Sequence, residues 1–375
     1  MTGTAHQLRI GTRDHDDLRR RLQAWLRDLL PVGTEPVVGP VEPATGNGMS
    51  SETVTFELTT ATHGPQPCVA RLAPRHEAIP VFPAYDLVRQ ARVMRLVAEN
   101  SDVPVPPVLW CDADGAVTGS PLFIMARVEG DIPPDVMPYN FGGWAAEAEP
   151  ADRARLQQGT VDVLAAIHAI DVSGDEFAFL GYDRDEPTPL RRHVGEHYDY
   201  YRWVARERRC PLIERGFAWL EEHWPAEEGP AVLSWGDARI GNIIYREFRP
   251  VGVLDWEMAA LGPRELDLGW LLYHHRFFED LAAMTGLAGL PGFLRPGDVT
   301  AAYQVAAGYE VRDLDFFLTY AALRNAIVMA RIAQRQIVLG ERELPDDPDD
   351  VLYDRGSLEA LLDGSYWERI VADGK

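Results

Sequence analysis

At 375 residues the chain exceeds what a single hydrophobic core usually supports, which points to two lobes. Its 46% apolar and 25% charged residues exclude a disordered or fibrous class, and no apolar run approaches the roughly 18 residues that a membrane span needs. A formal net charge of −22 argues against nucleic acid and anionic membranes as partners; it either keeps the protein soluble or weakly favours a cationic small ligand.

The N-terminal MTGTAHQLRIGTRDHDD lacks a signal-peptide core, so a cytoplasmic location is expected. From Leu18, Leu22, Trp25, Leu26 and Leu29 the spacing predicts an amphipathic helix over about 15 to 30, ended by Pro31 and Gly33. A loop of small residues, TGNGMSSE, precedes a strand in which Val54, Phe56 and Leu58 alternate with polar residues. CVARLA (68 to 73) reads as a second strand, and Leu87, Ala91, Met94 and Ala98 recur at helical period. PVPPVLW and PLFIMARVEG give two more strands around the turn CDADG. Cys68, Cys111 and Cys210, scattered without CxxC spacing, argue against a disulfide framework and a zinc site.

From residue 131 helices dominate. Proline and glycine punctuate 130 to 150, after which Leu156, Val163, Ile167 and Ile170 set a long helix, with further helices over 189 to 208 and 211 to 224. Short β-like runs return as AVLSW, NIIYREF and VGVLDW before the helical tail, ELDLGWLLYHHRFFED and DLDFFLTYAALRNAIVMARIAQRQIVLG. The expected organisation is α+β, with a small mixed-sheet lobe carrying a leading helix over 1–130 and a larger, mainly helical lobe over 131–375.

Two carboxylates stand out by position. Asp237 follows the strand AVLSW and opens a loop, and Asp255 ends the apolar run VGVL. A carboxylate there needs a partner, a proton or a metal, because an unpaired buried charge is costly. Asn242 adds a neutral oxygen, and one aspartate, one amide oxygen and waters form the hard-oxygen set that suits Mg²⁺. Asp237 then remains to orient a nucleophile. The only lysine is Lys375, so anion chemistry inside the fold falls to arginine, histidine or backbone N–H groups.

The D-x-x-x-x-N spacing followed by an apolar strand ending in aspartate is similar to the catalytic loop and metal aspartate of protein-kinase-like phosphotransferases. More narrowly, WGDARIGNIIY and VGVLDWEMAALGPRELDLGW resemble the aminoglycoside phosphotransferase and choline kinase-like family, closest to its members associated with acyl-CoA dehydrogenases. The resemblance implies a bilobal protein-kinase-like fold and transfer of the γ-phosphate of ATP, with Mg²⁺, to the hydroxyl of a small molecule. It makes Asp237 the catalytic base, places Arg239 near the transferred phosphate, and assigns the metal to Asn242 and Asp255. Trp235 stands where the family usually has histidine, and Asp267 matches an acid that braces the catalytic loop.

In the first lobe GNGMSSETVTF resembles the loop over the nucleotide phosphates, implying contacts from Gly48, Ser50 and Ser51. Arg71 falls where the family carries its nucleotide lysine, and Gln90 where a glutamate normally pairs with that lysine. IMARVEG resembles the adenine connector, implying backbone contacts from Ala126 and Val128. Two rival functions remain at this stage: a nucleotide-binding module without turnover, favoured by Gln90, and a two-carboxylate hydrolase using Asp237 and Asp255. His168, on an apolar helix, reads as a satisfied core histidine, the adjacent His274 and His275 do not share a helix face, and the aromatics of WLLYHHRFF read as core. Nothing in the sequence names the acceptor.

Overall fold

The computed structural model describes residues 13–44, 51–74 and 79–366, and the chain divides into two compact units, residues 1–99 with 105–129 and residues 100–104 with 130–375.

The first unit opens on α1 (His15–Leu29). Asp14 caps it by accepting from the Asp17 N–H at 3.0 Å, and Asp16 and Asp17 sit favourably at the positive end of the helix dipole. Its apolar stripe buries Leu18, Leu22 and Leu26. The strands are β1 (Val37–Val38), β2 (Glu42–Pro43), β3 (Glu52–Thr59), β4 (Gln66–Leu72), β5 (Val108–Asp112) and β6 (Leu122–Ala126), with α2 (Leu87–Asn100) inserted after β4. They form one sheet in the order β1-β3-β4-β6-β5, with β2 also on β3. Among the described residues every pairing is antiparallel, which corrects the mixed sheet expected above: β1 and β2 both pair with β3, β3 with β4, and β6 runs back alongside β4 with Ala70 opposite Ile124. The inward residues Val54, Phe56, Leu58, Cys68, Ala70, Leu72, Leu122 and Ile124 pack with the α1 leucines into one core. The two-residue β1 and β2 were not expected, since Pro36, Gly39 and Pro40 break any period around them.

The second unit contains α3 (Pro150–His168), α4 (Pro189–Val204), α5 (Pro211–Glu222), β7 (Val232–Ser234), β8 (Ile243–Arg246), β9 (Arg249–Val253), β10 (Ala260–Gly262), α6 (Glu265–Met284), α7 (Pro296–Ala307), α8 (Leu314–Val338) and α9 (Arg355–Asp363). Proline opens four of these helices, where its missing N–H costs nothing. β8 and β9 form a hairpin, and β7 pairs with β10, a strand that the sequence pattern did not announce. α6 and α8 pack on each other, with Gly269 holding space that a Cβ would fill against the Phe317 backbone at 2.7 Å. α8 is long and apolar enough to cross a membrane, contrary to expectation, but most of it is buried inside the unit.

Candidate active site

The site is built on the two short strand pairs of the second unit. β7 ends at Ser234, and the chain turns through Trp235 and Gly236 into Asp237. Gly236 has φ of +89°, and a Cβ there would overlap the Met258 carbonyl oxygen, so the turn demands glycine. One carboxylate holds this turn. Asp267, in the first turn of α6 and fully buried, accepts from Ser234 Oγ and the Gly236 N–H through Oδ1, both at 2.8 Å, and from the Trp235 N–H at 2.7 Å through Oδ2. His168 Nε2 lies 3.0 Å from Oδ2, and its Nδ1 meets the Tyr303 hydroxyl at 2.6 Å. Burial pushes the Asp267 carboxyl up in pKa, but His168 and these donors outweigh it and hold the group below the usual range. His168 is thus a fully partnered core residue. Trp235 is fully buried, its indole N–H on the Leu254 carbonyl at 2.8 Å and its ring 5.9 Å from that of Trp256.

Asp237 projects from the turn and is 9% exposed. Its Oδ1 accepts from Trp270 Nε1 at 2.6 Å, its Oδ2 from Asn242 Nδ2 at 2.6 Å, and Arg239 Nε lies 3.0 Å from both oxygens. Burial again pushes this carboxyl up, while Arg239, His274, Trp270 and Asn242 together pull it below its ordinary value. The five-residue spacing has a local cause: the chain passes through a single 3₁₀ turn, Ile240–Asn242, which folds the Asn242 side chain back onto the loop it left. The Asn242 Nδ2 also donates to the Asp237 carbonyl at 3.1 Å, so the nitrogen makes both of these bonds, and the oxygen is the atom suited to a cation.

Arg239 is the hub of the local charge. Its guanidinium pairs with Asp237 and with Asp135, and burial, which pulls its pKa down, is outweighed by the two carboxylates, which raise it. Asp135 is pushed up by its own burial against the pull of Arg239, with Asp237 and Asp255 adding to the rise. Asp255 follows β9 with φ of +58°, a left-handed position that aspartate tolerates better than most residues. The Leu254 N–H donates to the Asn242 carbonyl at 2.8 Å, which draws the end of β9 alongside that loop.

Asp237, Arg239 and Asn242 are therefore in direct contact, and Asp255 acts on Arg239 through its charge. The donor set fits a divalent cation of the hard kind: an amide oxygen, a carboxylate and an excess of negative charge around one guanidinium. Among the described residues no group of three or more His, Cys, Asp or Glu is arranged to hold a metal, so such an ion would take few protein ligands and complete its shell elsewhere.

The remaining expected site residues belong to the first unit. Arg71 lies on β4 between Thr53 and Phe123 on the neighbouring strands and is buried, as is Gln90 on α2. Ser51 is 2% exposed. Gly48 and Ser50 lie outside the described residues. Ala126 ends β6 with its N–H on the Pro107 carbonyl at 2.9 Å, and Val128 is half-buried just beyond.

Sequence reading missed four participants. Asp135 comes from the irregular segment after residue 130, which has no period to mark it. Trp270 was read as core; it is buried, but its N–H is spent on Asp237. His274, on the same helix, is pulled down to about 4 by burial, against the opposing pull of Asp237. Arg324 did leave a signal: it is one charged residue inside the apolar run of α8.

Comparison with known proteins gives the chain a family. The model of the phosphotransferase enzyme family matches residues 45–303. Acyl-CoA dehydrogenase family member 10 of Mus musculus is 29% identical over 252 residues, 66% of this chain and 21% of that protein. The chain spans less than half the length of the curated relatives it matches. Among solved structures, a Ralstonia eutropha protein assigned to the aminoglycoside phosphotransferases superposes with a TM-score of 0.63 at 22% identity, covering 93% of this chain and 98% of that one. A thermostable mutant of aminoglycoside phosphotransferase APH(4)-Ia, solved with AMP-PNP and hygromycin B, superposes with a TM-score of 0.53 at 14% identity, covering 92% and 98%. Both likenesses establish the protein-kinase-like fold, with its antiparallel sheet and largely helical second unit.

Proposed function

The chain belongs to the phosphotransferase enzyme family, and from that premise we propose that it transfers the γ-phosphate of ATP, with Mg²⁺, to a hydroxyl group of a small molecule. The observation that carries the proposal is the state of Asp237: a buried carboxylate kept ionised by three N–H donors, one of which, Arg239, also pairs with Asp135.

The chemistry follows from that arrangement. A carboxylate offers about four lone-pair positions. Trp270, Asn242 and Arg239 use most of them, and what remains can accept the acceptor's O–H and aim its oxygen. With its proton affinity lowered, Asp237 is a weak base. That suits a loose phosphoryl transfer, in which orientation and charge stabilisation matter more than early proton removal. Asn242 and Asp255 would hold the metal, which when bound neutralises charge on the phosphate oxygens. Arg239 keeps Asp237 ionised and ties it to Asp135, and its placement next to the reacting groups also suits contact with the transferred phosphate.

In the first unit Arg71 supplies the permanent cation expected to meet the nucleotide phosphates, with Ser50, Ser51 and Gly48 offering short polar contacts and Ala126 and Val128 the adenine connector. The acidic balance favours a cationic acceptor.

Turnover of ATP over a panel of hydroxyl compounds, measured for the wild type and Asp237→Asn, tests the reading. Losing a general base costs about 10²–10⁴-fold, while MgATP should still raise the melting temperature of the variant. Equal turnover in both proteins would remove Asp237 from the mechanism. The second reading, a nucleotide-binding module without turnover, draws on Gln90, an amide where the resemblance leads one to expect glutamate; it predicts the MgATP shift with no turnover by the wild type.

A further inference from the structure

Arg324 is 1% exposed in the middle of α8, and among the described residues no carboxylate pairs with it. Burying a lone guanidinium is costly, and an apolar side chain of similar volume would serve the helix packing at least as well. Its contacts explain its presence better. Nη2 donates to the Gly236 carbonyl at 2.9 Å, Nε donates to His197 Nε2 at 3.2 Å, and the guanidinium carbon sits 4.1 Å from the centre of the Trp270 ring. Gly236 immediately precedes Asp237, and Trp270 donates to the Asp237 carboxylate.

We propose that Arg324 is a positioning residue for Asp237: from inside α8 it fixes the loop backbone at Gly236 and, across the face of Trp270, the direction of the indole N–H that Asp237 accepts. Its place in catalysis rests on the phosphotransferase reading; the coupling to Asp237 does not. Arginine can only donate, so His197 must offer Nε2 as an acceptor and is neutral, with its Nδ1–H on the His193 carbonyl at 2.8 Å. The Tyr320 hydroxyl, 3.0 Å from that carbonyl and 2.7 Å from His193 Nδ1, closes the support on the far side. A guanidinium over an indole face is held by cation–π attraction, and the ring's other edge is thereby aimed. The groups that face Asp237 are Arg239 and Asn242 from its own loop and Trp270 and His274 from α6, with Arg324 behind them on α8, His197 of α4 beyond it, and Asp135 and Asp255 acting through Arg239.

The test is hydrogen exchange of the Trp270 indole N–H, followed by ¹⁵N NMR on tryptophan-labelled protein and assigned with Trp270→Phe, in the wild type, Arg324→Met and Arg324→Lys. In Arg324→Met, which loses both the bond to the Gly236 carbonyl and the charge over the ring, exchange at Trp270 should quicken about tenfold and the indole resonance should move. Arg324→Lys keeps the charge over the ring and should recover part of that protection. Should Arg324→Met fail to fold, Arg324→Lys, which gives up the fork, should still show a partial quickening. Wild-type exchange in Arg324→Met, or in Arg324→Lys where that is the variant that folds, overturns the proposal. The measurement needs neither ATP nor acceptor, so it succeeds or fails independently of the phosphotransferase reading. With turnover in hand, Arg324→Met should lower kcat with the KM for ATP unchanged, and an unchanged kcat would also overturn it.

Discussion

Asp267→Asn isolates the brace beneath the Asp237 turn, because it keeps shape and removes one acceptor. In the wild type four donors converge on the carboxylate. An asparagine must place its NH₂ at one of the two oxygen positions. At Oδ1 it would face the Gly236 N–H and Ser234 Oγ, and at Oδ2 the Trp235 N–H and His168 Nε2. Either arrangement leaves one orphaned buried donor: in the first the Ser234 hydroxyl turns to accept and the Gly236 N–H is stranded, and in the second His168 changes tautomer, donating from Nδ1 to the Tyr303 hydroxyl and accepting at Nε2, and the Trp235 N–H is stranded. Leaving a buried donor unsatisfied costs about 1–3 kcal/mol, and the surviving bonds lose their charge assistance, so the total is about 3 kcal/mol. A chain of two units does not guarantee two-state unfolding, so a local measurement is the sound one. Hydrogen exchange of the Trp235 and Gly236 amides should quicken by about two powers of ten in the variant. Because the folded pKa of Asp267 is depressed, its stabilisation is fully present above the unfolded value of about 3.9. It is lost as pH falls through the lower folded value, so the difference between wild type and variant should narrow only in that acidic window. Protection within threefold of wild type at pH 7 would refute the brace.

Two other substitutions probe the site from different sides. Gly236→Ala adds a Cβ against the Met258 carbonyl at a φ of +89° and should cost about 2–4 kcal/mol, read as a lower thermal midpoint together with lost turnover, whereas Ala at the open, φ-unrestricted Gly142 should do neither. Arg71→Ala should raise the KM for ATP or lower kcat, and Arg71→Lys should restore part of the loss, since lysine keeps the charge and gives up the fork; kinetics unchanged in both would remove Arg71 from phosphate binding.

Where local physics decides structure, the sequence was readable. The leucines of α1 recur at helical period and the strand residues of β3 alternate, so both elements could be drawn with nearly the right ends. β10 could not, since three residues form a strand only because β7 lies opposite, 26 residues away in sequence at Ala260 and Ser234. The same division runs through the site. Asp237 and Asn242 are joined by one 3₁₀ turn, so their spacing carries the geometry, whereas Asp135 meets Arg239 across 104 residues and no local pattern records it. Trp270 shows a subtler limit. Periodicity correctly reports that a tryptophan is buried, but it is silent on where the indole N–H points.

The family match starts at residue 45, but the core of the sheet starts at Leu18. A chain begun at the matched boundary would keep every residue assigned here to chemistry and would lose the three leucines that close one face of the sheet. At about 1.5–3 kcal/mol for each buried leucine, that loss rivals the 5–15 kcal/mol or so by which an ordinary domain is stable at all. The helix outside the family boundary therefore carries stability on the scale of the whole margin by which such a fold holds together.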